Sequence, residues 1–335
     1  MSLSLFSRVC GLALTVAGVG VAHATEGQQL RALLGAPGQE MTVPQNPGLY
    51  GQLWYQHYEA TRFLDGGGHR QAIDVGNGVE AERGGAIVAN VVVPRLTYLS
   101  ETYWGEGRLG VSATIPMIDL TAHTTLTGRF PTGFPDAMKP YVQAQLNAAA
   151  AGASDSTTAQ GDMEIAPFID FQDDTSRVIL MTAFVVPTGD YNKDNVVNAG
   201  AGRFWTWRPG FVYGRAWDNG LEFGTRVTYS FNGVNTATHV RSGQYAHADY
   251  SLMYRYNDLW RFGLQGYAVK QFTKDTGPGV AADGNKAQTY ALGPSVGYQS
   301  EDGEFAAELK VLPEFHARNR PEGTTSWLRL AFRLD

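Results

Sequence analysis

From about position 47 to the end of the chain, apolar and polar residues alternate in segments of about ten. In Trp327-Leu328-Arg329-Leu330-Ala331-Phe332-Arg333-Leu334, the residues Leu328, Leu330, Phe332 and Leu334 fall on one side, and Arg329, Ala331 and Arg333 on the other. A period of two marks a strand with unlike faces. Leu221, Phe223, Val227, Tyr229 and Phe231 alternate in the same way with Glu222, Gly224, Arg226, Thr228 and Ser230. Twelve such strands are predicted, near 47–60, 88–98, 107–122, 160–172, 175–187, 204–216, 219–231, 244–257, 258–272, 286–300, 303–314 and 324–335.

The connections alternate too. The odd ones are long (61–87, 123–159, 188–203, 232–243, 273–285, 315–323), and the even ones are short, with Asp218-Asn219-Gly220 and Glu301-Asp302-Gly303 suited to tight hairpins. Short periplasmic turns alternating with long outer loops are the signature of a bacterial outer-membrane barrel. The expectation is therefore an all-β fold: a transmembrane, antiparallel, up-and-down β-barrel of about twelve strands, located in the outer membrane. In the second outer loop, Met138, Val142, Leu146 and Ala149 recur at helical spacing before Gly152, which predicts a short helix over 136–151. After Thr25 no run reaches the ~18–20 apolar residues of a helical span.

The N-terminus bears on compartment. Arg8 precedes an apolar run from Val9 to Val21 that ends in Ala22-His23-Ala24, the small-x-small pattern of a signal-peptidase site. The expected organisation is a signal peptide over 1–24, an N-terminal periplasmic segment over 25–46 and the barrel over 47–335. The one cysteine, Cys10, lies in the first of these, so disulfides and thiolate metal sites are excluded from the mature chain. Formal net charge is −6, charged residues are 17% and aromatics 12%. That balance argues against a nucleic-acid partner. Tyr and Trp near the strand ends fit girdles at the two membrane interfaces.

Strand parity turns one set of charged residues inward: Arg95, Asp162, Glu164, Asp170, Arg208, Glu222, Arg226, His247, Asp249, Arg255, Arg261, Glu304, Glu308, Lys310, Arg329 and Arg333. These are the candidate pore-lining residues. Both signs are interleaved, which suggests an ion-paired, water-lined interior with a small net field, or charges that only brace the wall. His247, Asp249 and Ser251 share one strand face, but residues two apart stand about 6.8 Å apart along a strand, and a triad needs successive hydrogen bonds of about 3 Å. No catalytic residue is assigned. The other histidines of the barrel are scattered, so no metal site and no cofactor are expected.

Five motifs then carry a family resemblance: Pro47-Gly48-Leu49-Tyr50, Gly161-Asp162-Met163-Glu164-Ile165-Ala166-Pro167, Pro187-Thr188-Gly189-Asp190-Tyr191, Trp207-Arg208-Pro209-Gly210 and Asn319-Arg320-Pro321-Glu322-Gly323. In this order the chain resembles the outer-membrane proteins associated with the meta-cleavage pathway of phenol degradation. The resemblance implies a transporter barrel for small, hydrophobic or aromatic solutes and supplies no catalytic residue. Expected partners are outer-membrane lipids, the outer-membrane assembly machinery and a small-molecule solute. An outer-membrane hydrolase and a closed structural or binding barrel without transport remain as alternatives. The chain departs from the usual aromatic terminus by ending Leu334-Asp335.

Overall fold

The structure is a computed structural model that describes residues 30–281 and 284–335; the expected signal peptide lies outside these residues. The strands are β1 (Gly48–Leu64), β2 (Ala72–Gly76), β3 (Val79–Trp104), β4 (Gly107–Thr114), β5 (Met117–Arg129), β6 (Asp155–Gln160), β7 (Met163–Gln172) and β8 (Ser176–Val186). They continue as β9 (Thr206–Ala216), β10 (Leu221–Asn232), β11 (Tyr245–Arg255), β12 (Trp260–Gln271), β13 (Gln288–Gln299), β14 (Phe305–Arg318) and β15 (Arg320–Arg333). Helix α1 (Lys139–Gly152) lies between β5 and β6.

Neighbours in sequence pair antiparallel around the ring, and β1 closes it by pairing with both β15 and β3. β4 and β5 are two stretches of one wall strand. Arg95 pairs with Thr114 and Val92 with Met117 in a common register, interrupted at Ile115-Pro116, where proline has no N–H to give the ladder. β6 and β7 are likewise one strand, slipped by one residue at Gly161-Asp162. With β2 pairing only to β3 outside the ring, the wall is a closed barrel of twelve strands.

The oily face points outward. Leu252, Leu264, Leu309, Leu328 and Phe332 are each at least 40% exposed, whereas Arg329, Glu308 and Gln265 on the opposite parity are buried. Aromatic rings join into chains at both rims. Tyr256, Phe262, Trp260, Tyr298, Phe305 and Phe332 link successively beside the short turns, and Trp207, Phe231, Tyr229 and Phe272 link beside the long loops. A wall that is apolar outside, banded by aromatics and closed on itself satisfies its backbone without water, as a membrane requires. Leu328→Arg should therefore cost about 2–4 kcal/mol near the bilayer midplane, whereas Ala331→Arg, on the inward parity, should be tolerated. Urea unfolding from liposomes measures both, and equal cost would refute the assigned facing.

Two outer connections differ from expectation. The last, expected to be long over 315–323, is a tight turn: β14 runs on to Arg318 and β15 starts at Arg320, with Asn319 at φ 51° joining them. The first is shortened by extension of β1 to Leu64 and by the β2–β3 hairpin. In the second, Val142, Leu146 and Ala150 of α1 pack on Val75, Val79, Ala81 and Leu126, against the inward face of the β3–β5 flare. The helix thus forms one side of the outer mouth.

The largest departure is N-terminal. Of the segment expected to lie in the periplasm, residues 30–46 run inside the barrel. Leu34 and Ala36 share one buried cluster with Trp54, Val93, Tyr267, Leu312 and Trp327, and Met41 lies against the inward glycines Gly214 and Gly224. A Cβ on Gly214 would overlap the Met41 carbonyl oxygen. The lumen has a packed core because the chain fills it with its own leading segment.

Candidate functional site

Working upward from the periplasmic end, each turn of this plug is held by an inward side chain. Arg177 Nη1 donates to the Glu40 (2.7 Å) and Val43 (2.9 Å) carbonyls, and its Nη2 pairs with Asp170 at 2.6 Å. Glu308 accepts from Gln39 N (2.8 Å), Lys310 Nζ donates to the Pro37 carbonyl (2.5 Å), and Trp327 Nε1 donates to the Leu34 carbonyl (3.0 Å). Asp249 accepts from Gly35 N at 2.9 Å. At the upper end Arg31 pairs with Asp162 at 2.8 Å and donates to the Phe204 carbonyl, while Arg208 donates to the Arg31 carbonyl. Backbone groups of an irregular buried segment need such partners, and the wall supplies them.

Most of the candidate inward charges are thereby accounted for. Glu164 pairs with Arg208 (2.5 Å), Arg226 with Asp249 (2.8 Å), Arg261 and Arg255 with Glu222 (3.0 and 3.7 Å), and Lys310 with Glu308 (3.1 Å). Arg329 meets Glu40 of the plug at 2.6 Å and Glu308 at 3.4 Å. Arg333 reaches the Pro47 carbonyl at 3.2 Å. Glu304 is exposed in the turn before β14, at the rim of a cavity that it shares with Gln39, Glu40 and Arg329. Arg95 points inward, donates to Ser112 Oγ at 3.2 Å and, among the described residues, forms no carboxylate pair.

His247 and Asp249 do meet, contrary to the spacing argument, because their side chains lean along the strand: His247 Nε2 lies 2.9 Å from Asp249 Oδ1. Among the described residues no hydrogen bond joins Ser251 to either, and Asp249 is engaged by Arg226 and the plug, so no nucleophile is assembled. Among the described residues there is also no metal-binding group of His, Cys, Asp and Glu.

Above the plug lies an outer vestibule of about 700 Å³. Leu30, Leu33, Ile87, Val91, Ile118, Leu120, Val196, Val197 and Val240 contribute apolar lining, with Tyr58, Tyr267, Glu314 and Arg320 in the wall. Glu314 accepts from both tyrosines at 3.0 and 2.9 Å and pairs with Arg320 at 3.2 Å. A second cavity of about 180 Å³ sits lower, between the plug and the inner faces of β1, β3, β4 and β7–β10.

One sector of the wall is closed differently. Where β6 leaves β7, it keeps β5 as a neighbour and, among the described residues, has no strand on its other side. The connection over 187–205 fills that place. Asp190 N donates to the Gln160 carbonyl at 2.9 Å, and the Asp162 carboxylate accepts from Gly189 N and Ala201 N, both at 3.0 Å. Gly189, Gly200 and Gly161 approach so closely there that a Cβ on Gly189 would meet backbone. Asp162 therefore ties two separate parts, the plug through Arg31 and the loop through two amides. Sequence parity found Asp162 but gave no sign of this role, and it missed the plug altogether. The available signals were the oily, glycine- and proline-punctuated Leu33-Leu34-Gly35-Ala36-Pro37-Gly38 and the inward glycines opposite Met41.

These features define an outer-membrane β-barrel whose lumen is stoppered by its own N-terminal segment. Residues 60–330 match the family model described as "Putative MetA-pathway of phenol degradation", and the chain belongs to that family. No curated protein shows significant sequence similarity. The fold is that of an outer membrane channel from Pseudomonas putida F1, to which this chain is similar with a TM-score of 0.70 at 13% identity over 89% of this chain and 100% of that one. The P. putida toluene transporter TodX superposes loosely, with a TM-score of 0.40 at 8% identity over 87% and 91% of the two chains.

Proposed function

We propose that this barrel is a passive channel admitting small hydrophobic or aromatic solutes across the outer membrane, and that it is not an enzyme. The observation that carries this reading is the vestibule of about 700 Å³, mainly apolar in its lining, standing directly on a filled lumen. A general aqueous pore would need a continuous polar lumen, whereas here ions and sugars meet Trp54, Trp327 and the plug. An apolar solute instead gains by leaving water for the vestibule wall, roughly 25 cal/mol for each Å² buried. Membership of a phenol-degradation family supports the same substrate class. The loop-closed sector beside β6 offers such a solute a way out that requires no strand ladder to break.

The test compares initial uptake of radiolabelled toluene by a Gram-negative host with and without the barrel, alongside sucrose-driven swelling of liposomes containing it. Faster toluene entry with no sucrose swelling is expected. Equal toluene entry in both hosts would leave a closed structural or binding barrel.

A further inference from the structure

Lower in the lumen, four inward residues of β1 and β3 each carry a buried polar atom with no hydrogen-bond partner among the described residues: Gln52 Oε1, Trp54 Nε1, Arg95 Nε and Thr97 Oγ1. Gln52 and Arg95 are direct cross-strand partners; because the two strands run antiparallel, Trp54 and Thr97 lie two residues away on opposite sides of that pair, and all four line the cavity of about 180 Å³. An unpaired buried polar group costs about 1–3 kcal/mol, so four lining one cavity are not an incidental packing fault.

Charge narrows what completes them. Of the inward arginines named from the sequence, Arg208, Arg226, Arg255, Arg261, Arg329 and Arg333 each have a carboxylate within 4.0 Å, and among the described residues Arg95 has none. The carboxylates of Glu40, Asp162 and Glu164 also line the cavity, but each is committed to an arginine. Water can satisfy hydrogen bonds there but leaves a net positive charge in a low-dielectric site, whereas an anion removes both costs. The guanidinium also stands 5.2 Å from the centre of the Trp54 ring. The far side of the cavity is apolar, formed by Phe168, Ile179, Met181, Val212 and Met41. Its size suits one ring, since an apolar cavity of ~150 Å³ takes up benzene.

We infer that this cavity is a binding site for a small aromatic carboxylate, with its carboxylate on the Arg95 guanidinium and its ring against Phe168 and Met181. The inference rests on the proposed reading of the barrel as an admitter of aromatic solutes and names one substrate class within it. No covalent step is involved. The site lies beside the plug, so its occupant sits where a solute would pass if the plug shifted.

The test is calorimetric titration of the full-length protein in detergent micelles with benzoate, benzyl alcohol and acetate, repeated on Arg95→Gln and Arg95→Lys, with heat-modifiable gel migration confirming that each variant is folded. Benzoate should bind more tightly than either partial analogue. Arg95→Gln should weaken benzoate by at least about tenfold, as expected for loss of a charge-assisted contact, while leaving benzyl alcohol unchanged, and Arg95→Lys should recover part of the loss. Equal benzoate binding by the wild type and Arg95→Gln, or no benzoate binding at all, would overturn the site and point to water as the occupant. Those results leave the toluene uptake reading intact. Arg95-dependent benzoate binding without toluene uptake would uphold the site and remove the channel reading.

Discussion

Deleting residues 30–45 should raise single-channel conductance severalfold while the barrel still folds. The plug touches the wall from Arg177 near the periplasmic end to Arg208 and Asp162 near the vestibule, so its removal opens the whole lumen at once. The charges it leaves behind are not stranded. Arg177 keeps Asp170, Lys310 keeps Glu308 and Arg226 keeps Asp249, and water entering the lumen solvates the rest. Thermal stability should fall all the same, because burying a side chain such as Leu34 or Met41 is worth about 1.5–3 kcal/mol. Planar-bilayer recording of the deletion variant measures the effect, and a conductance equal to that of the intact chain would mean that the plug is not what closes the lumen.

A second large effect is expected at Asp162. Its replacement by alanine removes the ion pair to Arg31, whose side chain is only 4% exposed, and the two acceptors of the loop amides. An uncompensated buried charge costs about 3–5 kcal/mol, so Arg31 should leave its place and the upper plug should loosen. Loss of the Gly189 and Ala201 contacts should release the loop as well. Asp162→Asn separates the two parts, since its amide keeps one carbonyl oxygen for the loop and loses the charge that holds Arg31. Limited proteolysis within 188–203 should be fastest in the alanine variant and intermediate in the asparagine one, with flickering openings in both. Proteolysis of the alanine variant at the wild-type rate would show that other contacts hold the loop.

The wall was legible in the sequence because each of its rules is local. Leu328 against Arg329, or Phe223 against Glu222, fixes which way a strand faces without reference to the rest of the molecule. The strand count and the short turns followed from the same period, whereas the last outer connection, expected to be long over 315–323, closes at Asn319 because β14 and β15 continue past their clearest alternation. The plug was not legible, since nothing in Leu33-Leu34-Gly35-Ala36-Pro37-Gly38 has a period and its partners are Trp327, Glu308 and Asp249, more than two hundred residues away. The inward charges illustrate both cases. Parity placed Arg329 and Glu308 on one face, but that Glu40 would share them, and that Arg95 would be left without a carboxylate, depends on the course of a segment with no pattern of its own.

The spans between the plug and its partners also govern how the molecule is made. Trp327 and Arg329 on the last strand grip Leu34 and Glu40, and that same strand pairs with β1 to seal the ring. Contacts separated by nearly the whole chain form late, after their loop-closure cost has been met. Until β15 arrives, the leading segment lacks the tryptophan and the arginine that fasten it, and the cylinder has an open side. Sealing the wall and seating the stopper are thus completed by one strand, so a chain cut short before β15 loses its seam and its seal together.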